Sequence, residues 1–289
     1  MNGKPFWISP RSITIAAALV GVLSLAIGAH AALNMRALDA AKAIATGQDS
    51  DSAPHASKIA LVIGNGHYPD ANAPLSQPIN DARALTAALR RSGFDVDVVE
   101  DASKDDMSRA VDRLTSKIRP DSVVMLFFGG YGVQAGRESY MIPVDAAIWK
   151  EADVRRDGLS VEAVLDAIKE RGARAKLVVI DASRRNPYER RFRAFSHGLA
   201  PINAPDNALV LSSATPGKVA DDSAGQYSVL VAELLNNLKS GEPGKAAGAE
   251  TVFNKTRVAI SRASDGEQVP SVSSSLLDDV RFTATDAGG

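Results

Sequence analysis

The stretch "KLVVIDASRRNP", residues 176–187, carries four apolar residues, Leu177 to Ile180, straight into a carboxylate, a small residue, a serine and two arginines. A short, β-branched run of this kind, closed by polar residues and a proline, reads as a buried strand that delivers a polar loop at its carboxyl end. The same pattern recurs outward along the chain in "KIALVIG" (58–64), "FDVDVVE" (94–100), "SVVMLFF" (122–128) and "NALVLSS" (207–213). Between the runs, Met107, Val111, Leu114 and Ile118 fall at helical spacing, as do Val161, Val164, Leu165 and Ile168, so each set marks one buried helical stripe. A helix after the first strand has Asn80 as its expected N-cap and Leu85 and Leu89 on one face, and further helices are expected around 226–239 and 249–263. Strands alternating with helices predict an α/β fold: a doubly wound, mostly parallel sheet with helices on both faces.

Ligands in such folds bind at the carboxyl ends of the strands. Those ends here are "GNGHYPD", "GGYG", "DASRRNP" and "SATPGKVADD", four loops expected to share one rim. The first is not a dinucleotide loop, because that fingerprint opens directly into a helix, whereas His67, Tyr68, Pro69 and Asp70 follow the second glycine.

Composition narrows the function. Lysine and arginine number 33 against 34 aspartate and glutamate, for a net charge of −1, and no basic run interleaves with aromatics, so nucleic acid is not an expected partner. The chain has no cysteine, which removes disulfides, thiolate metal sites and thiol nucleophiles together. No cofactor is expected, and no metal site either: a pair of carboxylates with no positioned histidine or third ligand holds an ion weakly.

Residues 1–40 read as a targeting segment. "SITIAAALVGVLSLAIGAHAAL", Ser12 to Leu33, follows Lys4 and Arg11 and holds no Asp, Glu, Lys or Arg. As a helix its length would be about 33 Å, enough for a hydrocarbon core of roughly 30 Å. It is either an uncleaved signal anchor or a signal peptide cut after the small-x-small "AHA" that ends at Ala31. Its length favours the anchor, since a signal h-region runs to about 7–15 residues. Both readings predict membrane contact through this segment and a main domain outside the cytoplasm, in the periplasm. Arg36 and Lys42 dull the charge asymmetry. Residues 41–57 are small, polar and proline-containing, a linker, and the folded domain is expected over 58–284.

In order, "ALVIGNGHY", "PINDARALTAALRRSGFDV", "LFFGGYG", "SYMIPVDA", "VVIDASRRNP", "GLAPINAP", "SSATPGKVA" and "QVPSVSSSL" make the chain similar to the bacterial caspase-like peptidases, relatives of metacaspases. Active members carry a glycine-histidine-glycine turn after the third strand and an aspartate-alanine-cysteine-arginine turn after the fourth. The resemblance therefore places Tyr131 where the family has its histidine and Ser183 where it has its nucleophile. The two positions lie 52 residues apart, against about 50 in caspases. The resemblance also implies that Asp81 and Asp181 form a pocket for the basic side chain preceding a cut bond, and that Gly130 and Gly132 offer backbone amides to a carbonyl oxygen.

A serine hydroxyl needs a general base, and a phenol with a reference pKa of about 10 donates at neutral pH rather than accepts. The expectation is thus a membrane-tethered, catalytically degenerate caspase-like domain, a binding or scaffold module for peptide or protein segments containing Arg or Lys. Two alternatives stand beside it: a residual serine-type hydrolase in which His67 or His197 is recruited to Ser183, and a scaffold without a peptide pocket. In the last case Asp81 merely caps its helix and Asp181 merely ends a strand.

Overall fold

The structure is a computed structural model that describes residues 57–70, 74–188, 198–220, 225–239 and 247–282. The expected segment 1–40, nearly all of the linker and the tail beyond Phe282 lie outside the described residues, and no described helix is long and apolar enough to cross a membrane. Six strands form the main sheet: β1 (Lys58–Gly64), β2 (Asp95–Glu100), β3 (Val123–Gly129), β7 (Ala175–Asp181), β8 (Ala208–Ser212) and β10 (Ser271–Ser274). Their order is β10-β8-β7-β3-β1-β2. All neighbours run parallel except β10, which pairs antiparallel with β8 at one edge. The five runs read from the sequence are the five parallel strands.

Side chains alternate across this sheet, and both faces are covered. Ala60, Val62, Met125 and Phe127 pack against Ala82, Leu85 and Leu89 of α1 (Pro78–Arg91), Leu230 and Leu234 of α5 (Val229–Lys239), and Val252 and Phe253 of α6 (Ala249–Ala263). Their strand neighbours Leu61, Ile63, Leu126 and Phe128 face the other way, against Met107, Val111 and Leu114 of α2 (Lys104–Lys117) and Val164, Leu165 and Ile168 of α4 (Val161–Glu170). Burial of each such side chain contributes roughly 1.5–3 kcal/mol, and double coverage is why the strands lack polar alternation.

Two departures from the sequence reading have local causes. Helix α1 begins at Pro78 with Gln77 as N-cap, not Asn80, because proline needs no hydrogen-bond acceptor for the first turn and its fixed φ suits helix entry. Asn80 lies inside the helix, and its amide donates to the Gln226 carbonyl at 3.2 Å. A small antiparallel sheet also follows β3, built from β4 (Gly132–Ala135), β5 (Glu138–Met141) and β6 (Leu159–Ser160), with α3 (Glu151–Asp157) beside it. These pieces are too short to show a period in sequence. They close a third core in which Val133, Tyr140, Ile142 and Val154 meet Tyr68, Tyr131 and Tyr188. Finally, β9 (Ala247–Gly248) pairs antiparallel with β11 (Arg281–Phe282).

From β1 the chain first moves outward to β2 and then returns to β3 on the opposite side. The strand order therefore reverses between β1 and β3, which is where an open α/β sheet leaves a crevice at its carboxyl edge.

Candidate active site

Strand register puts Tyr131 and Ser183, the positions expected for a dyad, just past neighbouring strand ends. Gly129 pairs with Asp181 at the last step of β3 and β7, and Tyr131 and Ser183 each lie two residues beyond. The ladder continues past the strands: Gly130 N–H donates to the Asp181 carbonyl at 3.2 Å and Gly132 N–H to the Ala182 carbonyl at 3.0 Å. Two other loops join the same rim, since Asn65 N–H donates to the Gly129 carbonyl at 2.8 Å and Ala220 N–H to the Ser183 carbonyl at 2.6 Å.

These bonds correct one expectation. The amides of Gly130 and Gly132 are not open to a substrate carbonyl; both are spent on the neighbouring strand end. Ser183 N–H is engaged too, donating to Ser213 Oγ at 3.3 Å. The glycines serve close approach instead. A Cβ on Gly130 would stand 2.5 Å from the Tyr68 hydroxyl, and one on Gly132 would stand 2.6 Å from Leu199 Cδ2, while neither residue has a positive φ.

Ser183 is buried and its Oγ makes no hydrogen bond. Tyr131, also buried, meets the Tyr68 ring edge-on with centroids 4.8 Å apart. The Tyr68 hydroxyl accepts from Tyr131 N–H at 3.0 Å and donates to the Ile142 carbonyl at 3.1 Å, and burial raises its ionisation well above the ordinary phenol range. His67 lies on the rim as expected, but its ring is drawn to Asp101, with Nδ1 to Oδ2 at 2.5 Å, and its side chain is 76% exposed. Against desolvation, which would raise it, donations from the His67 and Gly66 amides and the His67 ring contact lower the Asp101 pKa. His67 is therefore a surface partner of Asp101 and supplies no base to Ser183; His197 lies outside the described residues.

The acidic residues converge. Asp81, fully buried in the first turn of α1, accepts from Ser228 N–H at 3.0 and 3.3 Å through its two oxygens. Ser228 precedes α5, and its Oγ accepts from Val231 N–H at 3.1 Å. Asp81 thus does not cap its own helix; it supports the N-terminus of α5, where a negative charge is favoured. Asp181 does end β7, and it does more. Its Oδ1 stands 3.7 Å from Nη1 of Arg184, and its Oδ2 is buried with no hydrogen bond. The Arg184 guanidinium, itself buried, donates to the Gly130 carbonyl at 2.9 Å and to the Asp181 carbonyl. Burial, then the charge of Asp181, pushes the Asp81 carboxyl up to about 7, against the Ser228 bonds and Arg184, which pull it down.

Several contributors were not singled out in the sequence. Arg184 stood in the stretch first read, but nothing in a sequence distinguishes an inward arginine from its exposed neighbour Arg185. Asn65 joins three loops, accepting from Ala102 N–H at 2.9 Å and donating to the Ile142 carbonyl at 3.2 Å, and a lone asparagine between glycines carries no signal of that role. Among the described residues, no group of three or more His, Cys, Asp or Glu side chains is placed to hold a metal ion.

Comparison with known proteins agrees with the α/β fold class. The caspase domain matches residues 57–281. Mucosa-associated lymphoid tissue lymphoma translocation protein 1 of Homo sapiens is 29% identical over 143 residues, covering 49% of this chain and 17% of the relative. Its homolog in Mus musculus is 29% identical over 133 residues, 46% of this chain and 16% of the relative. The chain belongs to the caspase domain family.

Proposed function

We propose that this member of the caspase domain family is a pseudopeptidase: it receives an arginine or lysine side chain of a peptide or protein segment at Asp81 and Asp181, and it does not cut. The observation that carries this reading is the Ser183 hydroxyl, buried without a hydrogen-bond partner, while the neighbouring strand end carries Tyr131 where active members carry a histidine. Loss of a nucleophile or its base in other hydrolases costs on the order of a million-fold, about 8 kcal/mol of barrier. Here both positions differ from the active pattern, and the amides that would meet an oxyanion are bonded elsewhere. The acids support a binding role. A buried carboxylate oxygen with no donor, as at Asp181 Oδ2, costs about 1–3 kcal/mol, and an incoming basic side chain supplies the missing donor.

The proposal includes tethering through Ser12–Leu33, with the caspase domain held outside the cytoplasm; the support is the apolar length of that stretch. The test of function incubates the full chain with Arg- and Lys-containing reporter peptides. No cleavage is expected, and turnover that disappears in Ser183→Ala would overturn the reading. Full-length chain in the soluble cytosolic fraction would overturn the tether.

A further inference from the structure

Arg184 and Arg185 are consecutive, yet the first is buried and the second exposed. The inward guanidinium has the buried Asp181 Oδ1 at 3.7 Å and the buried Asp81 carboxyl within its electrostatic reach. We propose that Arg184 is an internal ligand: its guanidinium is the resting occupant of the Asp81/Asp181 pocket, and a guanidinium from another molecule enters only when Arg184 swings out. This inference rests on the reading of that pocket as a site for a basic side chain.

The pairing of Arg184 with Asp181 is loose. The guanidinium donates to the main-chain carbonyls of Gly130 and Asp181, while its closest approach to the Asp181 carboxylate is too long for a hydrogen bond. The two-pronged fit that makes an arginine–carboxylate pair strong is not made with Asp181, and Asp181 Oδ2 is left with no donor. A longer reach from outside can satisfy that oxygen where a side chain anchored three residues away does not. Charge points the same way. With Arg184 withdrawn, the buried Asp181 carboxylate would lack its nearby cation, which costs several kcal/mol unless a replacement arrives. Arg184 thus keeps the empty pocket stable and sets a threshold that a basic ligand must exceed.

The probe is methylguanidinium, which has the head group without a peptide. Thermal melts are run on the full chain, on Arg184→Ala and on Arg184→Ala/Asp181→Asn, with methylammonium at equal concentration as the control. At ten times its Kd, methylguanidinium should raise the melting temperature of Arg184→Ala by about 3–6 °C. It should leave the parent unmoved, and the gain should vanish in the double variant. An equal response in parent and Arg184→Ala, or a gain that survives Asp181→Asn, would overturn the inference. Should Arg184→Ala fail to fold, Arg184→Met keeps the aliphatic stem and takes its place. On the parent itself, NMR should find the Arg184 guanidinium protons protected from solvent exchange; exchange as fast as that of Arg185 would also overturn it. If methylguanidinium behaves as expected while no Arg peptide binds Arg184→Ala, the internal ligand stands and the peptide-receiving function falls.

Discussion

Ser183 and Asp181 stand two residues apart at the end of the same strand, yet the two halves of the site they belong to are equipped differently. Around Asp181 the chain assembles a second carboxylate, a guanidinium and the N-terminus of a helix, all buried and mutually compensating. Around Ser183 it assembles a hydroxyl without a partner, a tyrosine packed on another tyrosine, and amides already bonded to the neighbouring strand. The difference is one of equipment: the charged groups compensate one another around Asp181, and no such partner meets the Ser183 hydroxyl. The groups proposed to hold a basic side chain sit on the strand end and on α1, whereas Tyr131 and Ser183, the positions proposed to have lost the hydrolytic pair, lie in the loops just beyond the strands.

The largest expected effect breaks the compensated half. Asp181→Ala leaves the Arg184 guanidinium buried beside one acid fewer and should lower unfolding stability by about 3–5 kcal/mol, read from denaturant midpoints. A loss no larger than that of a surface substitution would mean the buried charges are not coupled.

Next comes pH. The Asp81 carboxyl is raised from 3.8 to about 7 on folding, mainly by burial. A group raised in this way contributes stability that is fully present below the unfolded value and is lost as pH rises through the folded one. The stability of the parent relative to Asp81→Asn should therefore fall by a few kcal/mol between pH 4 and 7 and level off above that. A difference that is flat with pH would remove the buried proton from Asp81.

The uncompensated half should respond in the opposite sense. Ser183→Ala removes a buried hydroxyl that makes no hydrogen bond, so it should be neutral or stabilising by about 1 kcal/mol. A clear destabilisation would mean the hydroxyl has a structural partner after all. Smallest of all is His67→Ala. Its exposed pairing with Asp101 is worth less than about 1 kcal/mol, and peptide affinity should be unchanged.

The parallel strands were legible because burial on both faces writes them as continuous apolar runs, as in Leu177–Ile180 or Val123–Phe128. Helices α2 and α4 were legible because one face of each repeats at helical spacing. The hairpin strands β4 and β5 were not, since four residues carry no period, and α1 was entered wrongly because Pro78 and Asn80 both compete for its start. That Asp181, Tyr131 and Ser183 lie at neighbouring strand ends was legible from the strand boundaries, whereas Asp81, on α1, was not placed by any strand. What the sequence withheld was occupancy: which amides were already bonded, which acid carried a helix other than its own, and that Arg184 turned inward. Those are contacts between residues up to 147 positions apart, and no local pattern encodes them.

Recognition and cleavage can be read in one experiment. An Arg-containing peptide is titrated calorimetrically into the full chain at neutral pH and then recovered and weighed by mass spectrometry. Saturable binding is expected, weakened about ten-fold or more by Asp181→Asn, with the peptide recovered intact. Cleaved peptide that becomes intact when Ser183→Ala is used, or the absence of any binding by well-folded chain, would contradict the proposed function.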